Sequence, residues 1–342
     1  MWANKFHAMT AFSPYLILNK QQLIDQINRL AASQNPFLFI IDYKAEQGYV
    51  IKHDELDDRF IQFHTENYPS TAQLINRSIH QLLTWNINPI SLEKYQPKFD
   101  YVVDQIHKGN SFLTNLTQPT ELSTNLSLFE LFQLGSAKYK LWLNGQFTVL
   151  SPETFVRIEG RTISSFPMKG TIDATIPNAE EILLNDPKEK AEHATIVDLI
   201  RNDLSLVANH VEVKRYRYVE KLTTNRHDLL QVSSEISGQL PENFHKRLGD
   251  ILFALLPAGS ISGAPKKKTL EIIEQAEGYE RGFYTGIFGY FDGTNLDSAV
   301  LIRFIEQQDE KIVFKSGGGI TAQSDLDKEY EELIQKVYVP VF

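Results

Sequence analysis

The chain has 342 residues, 42% apolar and 23% charged, the balance of a globular enzyme with length for one large domain or two average ones. A net charge of −9 without a Lys/Arg stripe argues against a nucleic-acid partner, and no apolar run approaches the ~20 residues that cross a bilayer. Cysteine is absent, which excludes disulfides, thiolate metal sites and a cysteine nucleophile.

The start, Met1-Trp2-Ala3-Asn4-Lys5, lacks the basic-then-apolar pattern of a secretory signal, so a cytoplasmic location is expected. Gln21–Ala32 has helical periodicity. Pro36–Asp42 reads as a buried strand with Gly48–Ile51 as its hairpin partner. Ser70–Leu83 reads as a second amphipathic helix. Asn86 to Pro97, rich in Asn and Pro, is the one linker-like stretch. Phe99–Lys108 is helical, with Val102, Val103 and Ile106 on one side.

Strand signals follow at Phe147–Leu150, Thr154–Ile158, Thr162–Phe166, Val211–Val213, Ser298–Arg303 and Lys311–Phe314. Helices are expected at Lys188–Asn202, Phe244–Leu256, Lys266–Ala276 and Asp325–Tyr338. The mixture lacks strict βαβ alternation, and Gly, Asn and Asp turns join neighbouring strands. That predicts an α+β fold with large antiparallel sheets.

Several segments carry chemistry. Pro167-Met168-Lys169-Gly170-Thr171 puts one amine in a turn after a strand. Lys169 is either a solvent-facing turn residue or, if burial depresses its pKa, a nucleophile or base. Glu153, in Ser151-Pro152-Glu153, stands at a strand entrance as a solvated residue or a general acid/base. Gly317-Gly318-Gly319 follows a strand, as a loose turn or as an anion-binding nest of N–H groups. Ser324 has the place of an N-cap, with Asp327 three residues on.

On the helix beyond, Glu329, Glu332 and Lys336 share a face, while Tyr330, Leu333, Ile334 and Val337 form an apolar one. Glu192 begins a stripe with Ile196, Leu199 and Asp203 on the earlier acidic helix. Two carboxylates converging from separate helices, Glu192 and Glu332, suit Mg²⁺, which takes one or two carboxylates plus substrate oxygens. His193 reads as a packed or surface histidine, and Asp198, Arg201 and Asp203 as a structural ion-pair cluster.

Pro257–Lys266 is a small-residue loop opening a helix, a tight junction or a carboxylate site, without Walker spacing. Arg303 ends an apolar strand, as a structural salt bridge or a bidentate carboxylate clamp, with Tyr284 and Tyr290 upstream.

Taken together these segments resemble the chorismate-utilising enzymes: component I of anthranilate synthase and of aminodeoxychorismate synthase, and the isochorismate and salicylate synthases. The resemblance runs from about Tyr95 to Val337, with the segments in the family's order. It implies a single domain over 1–342, with 1–92 a shortened N-terminal part and 93–342 the catalytic signature region. It also implies sheets packed as a sandwich with helices outside.

Anthranilate synthases resemble this chain but carry alanine where it has Lys169, whereas aminodeoxychorismate synthases carry lysine. The water-adding members have a base lysine where this chain has Leu113. The resemblance is therefore to aminodeoxychorismate synthase component I, against the alternatives of an anthranilate synthase component or a non-catalytic chorismate binder. It implies Lys169 as nucleophile and Glu153 as acid/base. Glu192, Glu329 and Glu332 would stand around Mg²⁺, and Ser262, Tyr284, Arg303, Gly317, Gly318, Gly319 and Lys336 would hold chorismate.

Ammonia would come free or from a glutamine amidotransferase subunit, since this chain has no cysteine to release it. The expected product is 4-amino-4-deoxychorismate, for para-aminobenzoate and folate synthesis. The chain departs from the family at Gln231, which takes the place of a histidine, and at Ala258 in Pro257-Ala258-Gly259-Ser260. It shows no counterpart of the family's tryptophan-binding element, so feedback inhibition by tryptophan is not expected.

Overall fold

The computed structural model describes residues 14–68, 84–222 and 228–339. The amphipathic segment Ser70–Leu83 lies outside the described residues. Strand β1 (Leu18–Asn19) leads into helix α1 (Lys20–Ala32), then strands β2 (Phe37–Ile41), β3 (Gln47–Lys52), β4 (Ile61–His64) and β5 (Trp85–Asn88). Helix α2 (Leu92–His107), β6 (Leu113–Thr124), α3 (Leu128–Leu134), β7 (Tyr139–Leu143) and β8 (Phe147–Ser151) follow. Next are β9 (Thr154–Glu159), β10 (Thr162–Ser165), β11 (Met168–Asp173), α4 (Ala179–Asn185), α5 (Pro187–Ser205), β12 (Asn209–Leu222) and β13 (Leu229–Gln239). The chain continues through α6 (Leu248–Leu255), β14 (Gly263–Ala264), α7 (Lys266–Glu277), β15 (Ile287–Phe291) and β16 (Leu296–Val300). It ends with β17 (Phe304–Gln308), β18 (Lys311–Ile320) and α8 (Leu326–Gln335).

The strands form two sheets, and each pairing described below is antiparallel. One runs β1-β3-β2-β15-β16-β9-β10-β13-β11, with β12 on the other side of β13. The second runs β14-β6-β18-β17-β8-β7-β4, with β5 added along β6. Strand β2 shows why the sheets stack. Leu38 and Ile40 pack with Tyr139, Leu141, Val149 and Phe304 of the other sheet. Phe37, Phe39 and Ile41 turn to the opposite face, against Leu23 and Ile27 of α1 and Leu248 and Leu252 of α6. Side chains alternate along a strand, so an unbroken apolar run fits a strand buried on both faces.

On the outer face of the second sheet, Leu116 and Ile320 pack against Phe99, Val102, Ile272 and Leu333 of α2, α7 and α8. Each such side chain, fully buried, contributes roughly 1.5–3 kcal/mol. The result is the expected α+β sandwich with helices outside.

The stretch from Asn86 to Pro97 is not a linker. Trp85–Asn88 pairs with β6, and Pro97 lies inside α2. Trp85 and Ile87 pack against a cluster containing Leu131 and Phe314, and Trp85 Nε1–H donates to the Val337 carbonyl at 3.1 Å. That packing outweighs the turn preference of the surrounding Asn and Pro residues.

Candidate active site

Two crossovers between the sheets carry two of the candidate side chains. Glu153 lies between β8 of the second sheet and β9 of the first, and Arg303 lies between β16 and β17. The crossovers are tied side by side, Val300 N–H to Glu153 O at 3.1 Å and Leu150 N–H to Arg303 O at 3.2 Å. Arg303 is therefore not the end of a strand; it has φ +52° and its guanidinium lies 4.7 Å from the Tyr338 ring centre.

The Glu153 carboxyl accepts a hydrogen bond from Ser260 Oγ. Burial pushes its pKa up, against the pull of Ser260, Lys336 and Arg303. A raised pKa makes a carboxyl better suited to giving and taking a proton. A cleft lined by Glu153, Ser165, Pro167, Asp203 and Ser260 joins this corner to the chain leading into Lys169.

Lys169 is not in a turn. It sits in β11, where Met168 pairs with Ser233 and Thr171 with Gln231, a register shift that leaves Lys169 and Gly170 as a bulge. Bulges bend a strand and re-aim a side chain. Gly170 has φ +85°, and a Cβ there would meet Glu189 Oε2 at 3.0 Å and Leu183 Cδ1 at 3.1 Å, so only glycine fits. Lys169 Nζ lies 2.7 Å from Glu192 Oε2. Burial draws its pKa down, but Glu192 first, then Glu332 and Glu189, outweigh burial and raise it. The amine is an ammonium in this state, contrary to the depressed pKa that burial alone predicts.

Glu192 stands on α5, which starts at the Asp186 cap and Pro187 and packs across β11, β12 and β13. From the other side comes α8. Its N-cap is Asp325, whose side chain accepts the Lys328 N–H. Ser324 instead donates to Glu329 Oε1 at 2.7 Å. Glu332 pairs with Lys336 at 2.6 Å, and Lys336 donates to Gly317 O at 2.9 Å.

The three glycines below are strand, not nest: Gly317, Gly318 and Gly319 pair with Thr117, Leu116 and Asn115 of β6. A Cβ on Gly318 would lie 3.3 Å from both Glu329 Oε2 and Glu332 Oε1, and one on Gly319 2.9 Å from Leu113 Cδ1. The missing side chains make room for α8 carboxylates rather than offering a cradle of amides.

Ser262 is fully buried and donates its hydroxyl to Ala258 O at 2.8 Å, so lone pairs are what it has to offer. Its loop is fixed from behind by a buried pair, Arg281 and Glu277, 2.6 Å apart. Arg281 also donates to Ile261 O at 3.0 Å and to Asn115 O at 2.8 Å. Arg281 donates as well to Thr285 Oγ1 at 3.2 Å, and the neighbouring Tyr284 is buried, which raises its pKa.

The cluster expected of Asp198, Arg201 and Asp203 divides: Arg201 pairs with Asp198 at the surface, while Asp203 pairs with Lys266 at 3.0 Å across the loop. His193 is the packed histidine expected, fully buried. Burial, Arg217 and the Lys169 ammonium lower its pKa to about 4 against a raising contact with the Lys169 backbone carbonyl.

Glu189, Ser260, Glu277, Arg281 and Lys266 were not singled out in the sequence. Glu189 had a signal, because Glu189 and Glu192 repeat the i, i+3 spacing of Glu329 and Glu332. The others act through contacts between segments distant in the chain. Among the described residues no three Asp, Glu or His side chains are already gathered as a metal cage, and no helix is long and apolar enough to cross a membrane.

A two-sheet α+β sandwich with a lysine–carboxylate pair between β11 and α5 is the class these features define. The sequence pattern of the chorismate binding enzymes matches residues 39–341, reaching well ahead of Tyr95. The chain belongs to the chorismate binding enzyme family. It is 50% identical over 321 residues, 94% of this chain and 97% of the relative, to a protein of Haemophilus influenzae described as an uncharacterized PabA-like protein. It is 31% identical to aminodeoxychorismate synthase component 1 of Escherichia coli, over 87% of this chain and 66% of that enzyme. In structure it superposes on anthranilate synthase component I of Streptococcus pneumoniae with a TM-score of 0.67 at 22% identity, covering 98% of this chain and 82% of the other.

Proposed function

We propose that the chain is the chorismate-aminating component of an aminodeoxychorismate synthase. The observation that carries this reading is Lys169, projected from a glycine bulge into a ring of carboxylates, 2.7 Å from Glu192. Nucleophilic catalysis by lysine needs an amine that can lose its proton to a neighbour, and Glu192 is the acceptor in reach. The neutral amine attacks carbon 2 of chorismate, both double bonds of the ring diene shift by one position toward carbon 4, and the 4-hydroxyl leaves as water with a proton from Glu153. Ammonia then adds at carbon 4, the double bonds shift back, and the Lys169 amine departs, leaving 4-amino-4-deoxychorismate. Leu113, over Gly319, has no base with which to activate water instead.

The donor set fits Mg²⁺, a hard cation that binds oxygen ligands. Glu192 and Glu332 face one cation already, the Lys169 ammonium, and Glu329 and Glu332 converge over Gly318. These three would hold the ion, which supplies positive charge for a chorismate carboxylate when bound. Arg303, Lys336, Tyr284 and Ser262 would grip the rest of chorismate. Without cysteine the chain takes free ammonia, or ammonia from a glutamine amidotransferase partner, in the cytoplasm, toward para-aminobenzoate and folate.

The test is a reaction of the purified chain with chorismate, Mg²⁺ and ammonium, with products identified by mass. The expected main product is 4-amino-4-deoxychorismate. Anthranilate or isochorismate as the main product, or no turnover, would overturn the reading.

A further inference from the structure

Ser234 joins three elements around the Lys169 bulge. Its backbone N–H donates to Pro167 O at 3.0 Å, two residues before the lysine. Its Oγ accepts the Arg217 N–H of β12 at 2.9 Å and lies 2.7 Å from His193 Nε2 of α5. Ser234 and His193 are both fully buried, so bulk solvent does not reach them.

A serine hydroxyl has one proton to give and two lone pairs. One pair takes the Arg217 N–H. If Ser234 also accepted from His193, its own proton would be buried without an acceptor, which is unfavourable. The satisfied arrangement has Ser234 donating to Nε2, which leaves the ring proton on Nδ1. Nδ1 is buried without a hydrogen bond of full geometry, and the Lys169 backbone carbonyl is the acceptor beside it.

We propose that His193 is a positioning residue for Lys169: Ser234 holds its ring as the neutral Nδ1–H tautomer, and that N–H restrains the Lys169 carbonyl, fixing the bulge from which the amine projects. The ring is one residue beyond Glu192, so one turn of α5 sets both the carboxylate that meets the amine and the restraint on its backbone. His193 touches no substrate atom in this role.

This inference rests on Lys169 being the reacting amine, and the experiment separates the two. The first arm needs no turnover. Long-range ¹H–¹⁵N correlation spectra of the whole protein, labelled at its nine histidines, are compared with those of His193→Asn to assign the ring. The expected signature is a protonated Nδ1 and a bare Nε2; an Nε2–H tautomer or a doubly protonated ring at neutral pH overturns the proposal. The second arm uses ammonia-dependent turnover. His193→Ala should lower kcat about tenfold with KM for chorismate within about twofold, the pattern of a misplaced reacting group. His193→Asn, whose amide N–H reaches the Nδ1 position, should recover most of kcat, and His193→Gln, which reaches toward Ser234, should not. Rescue by Gln instead of Asn, or equal loss in all three variants, overturns the restraint. If the chain does not aminate chorismate, the tautomer arm still decides the Ser234–His193 arrangement.

Discussion

Replacing Lys169 by Met takes a cation away from the carboxylates while leaving a side chain of similar length. Lys169 Nζ is 2.7 Å from Glu192 Oε2, and Glu332 and Glu189 also act on it. At an effective dielectric constant of 20, unit charges at that separation attract by about 6 kcal/mol. The lysine side chain is 34% exposed, so solvent and ions reduce this to on the order of 1–2 kcal/mol. A divalent cation that takes Glu192 works against that attraction. Lys169→Met should therefore bind Mn²⁺ about 5–30-fold more tightly than the natural chain. Isothermal titration with Mn²⁺ at low ionic strength measures it, and the advantage should shrink in high salt as the charges are screened. Unchanged or weaker Mn²⁺ binding would refute the idea that Glu192 serves the lysine and the metal in turn. The same variant should lose roughly 10²-fold or more in ammonia-dependent turnover, and intact-mass spectra with chorismate should lack the adduct expected of the natural chain.

Gly318→Ala places a methyl 3.3 Å from two carboxylate oxygens; moving them by a few tenths of an ångström should lower kcat/KM for chorismate about tenfold or more, read from steady-state rates, while natural rates would show that α8 gives way freely. Glu153→Gln should cut turnover about 10²-fold. The Glu153 pKa is raised from 4.5 by burial, so the folded state binds its proton more tightly than the unfolded one; its stabilising effect is complete below 4.5 and is lost as pH rises through the raised value. Melting temperatures at pH 5 and 7 should thus fall more with rising pH for the natural chain than for Glu153→Gln. Glu277→Ala leaves the buried Arg281 without its carboxylate, and denaturant unfolding should show a loss of about 3–5 kcal/mol; a loss below about 1 kcal/mol would mean that water replaces the carboxylate.

The residues of β2 are apolar on both faces, and the sequence alone reads Pro36–Asp42 as a buried strand. The periodicity of α1, α5 and α8 likewise located helices to within a few residues, because a helix face is a local property, whereas α2 starts at Leu92, seven residues ahead of the Phe99 expected. The order of the motifs carried the family resemblance, and Lys169 was the residue on which the proposed reading within the family turned.

Other features depended on distance in space. Gly317–Gly319 reads as a flexible turn until β6 pairs with it and α8 closes over it. Ser324 looked like a cap until Glu329 folded back to take its hydroxyl. Asn86–Asn88 looked like the start of a linker until β6 supplied its hydrogen bonds. The charge of Lys169 is the sharpest case: burial and the neighbouring carboxylates act on one amine in opposite directions, and only their positions decide which prevails. The sequence determined which chemical groups the site contains. The tertiary structure decided their protonation and aim, because electrostatic and hydrogen-bond energies depend on separations of a few ångströms between residues far apart in the chain.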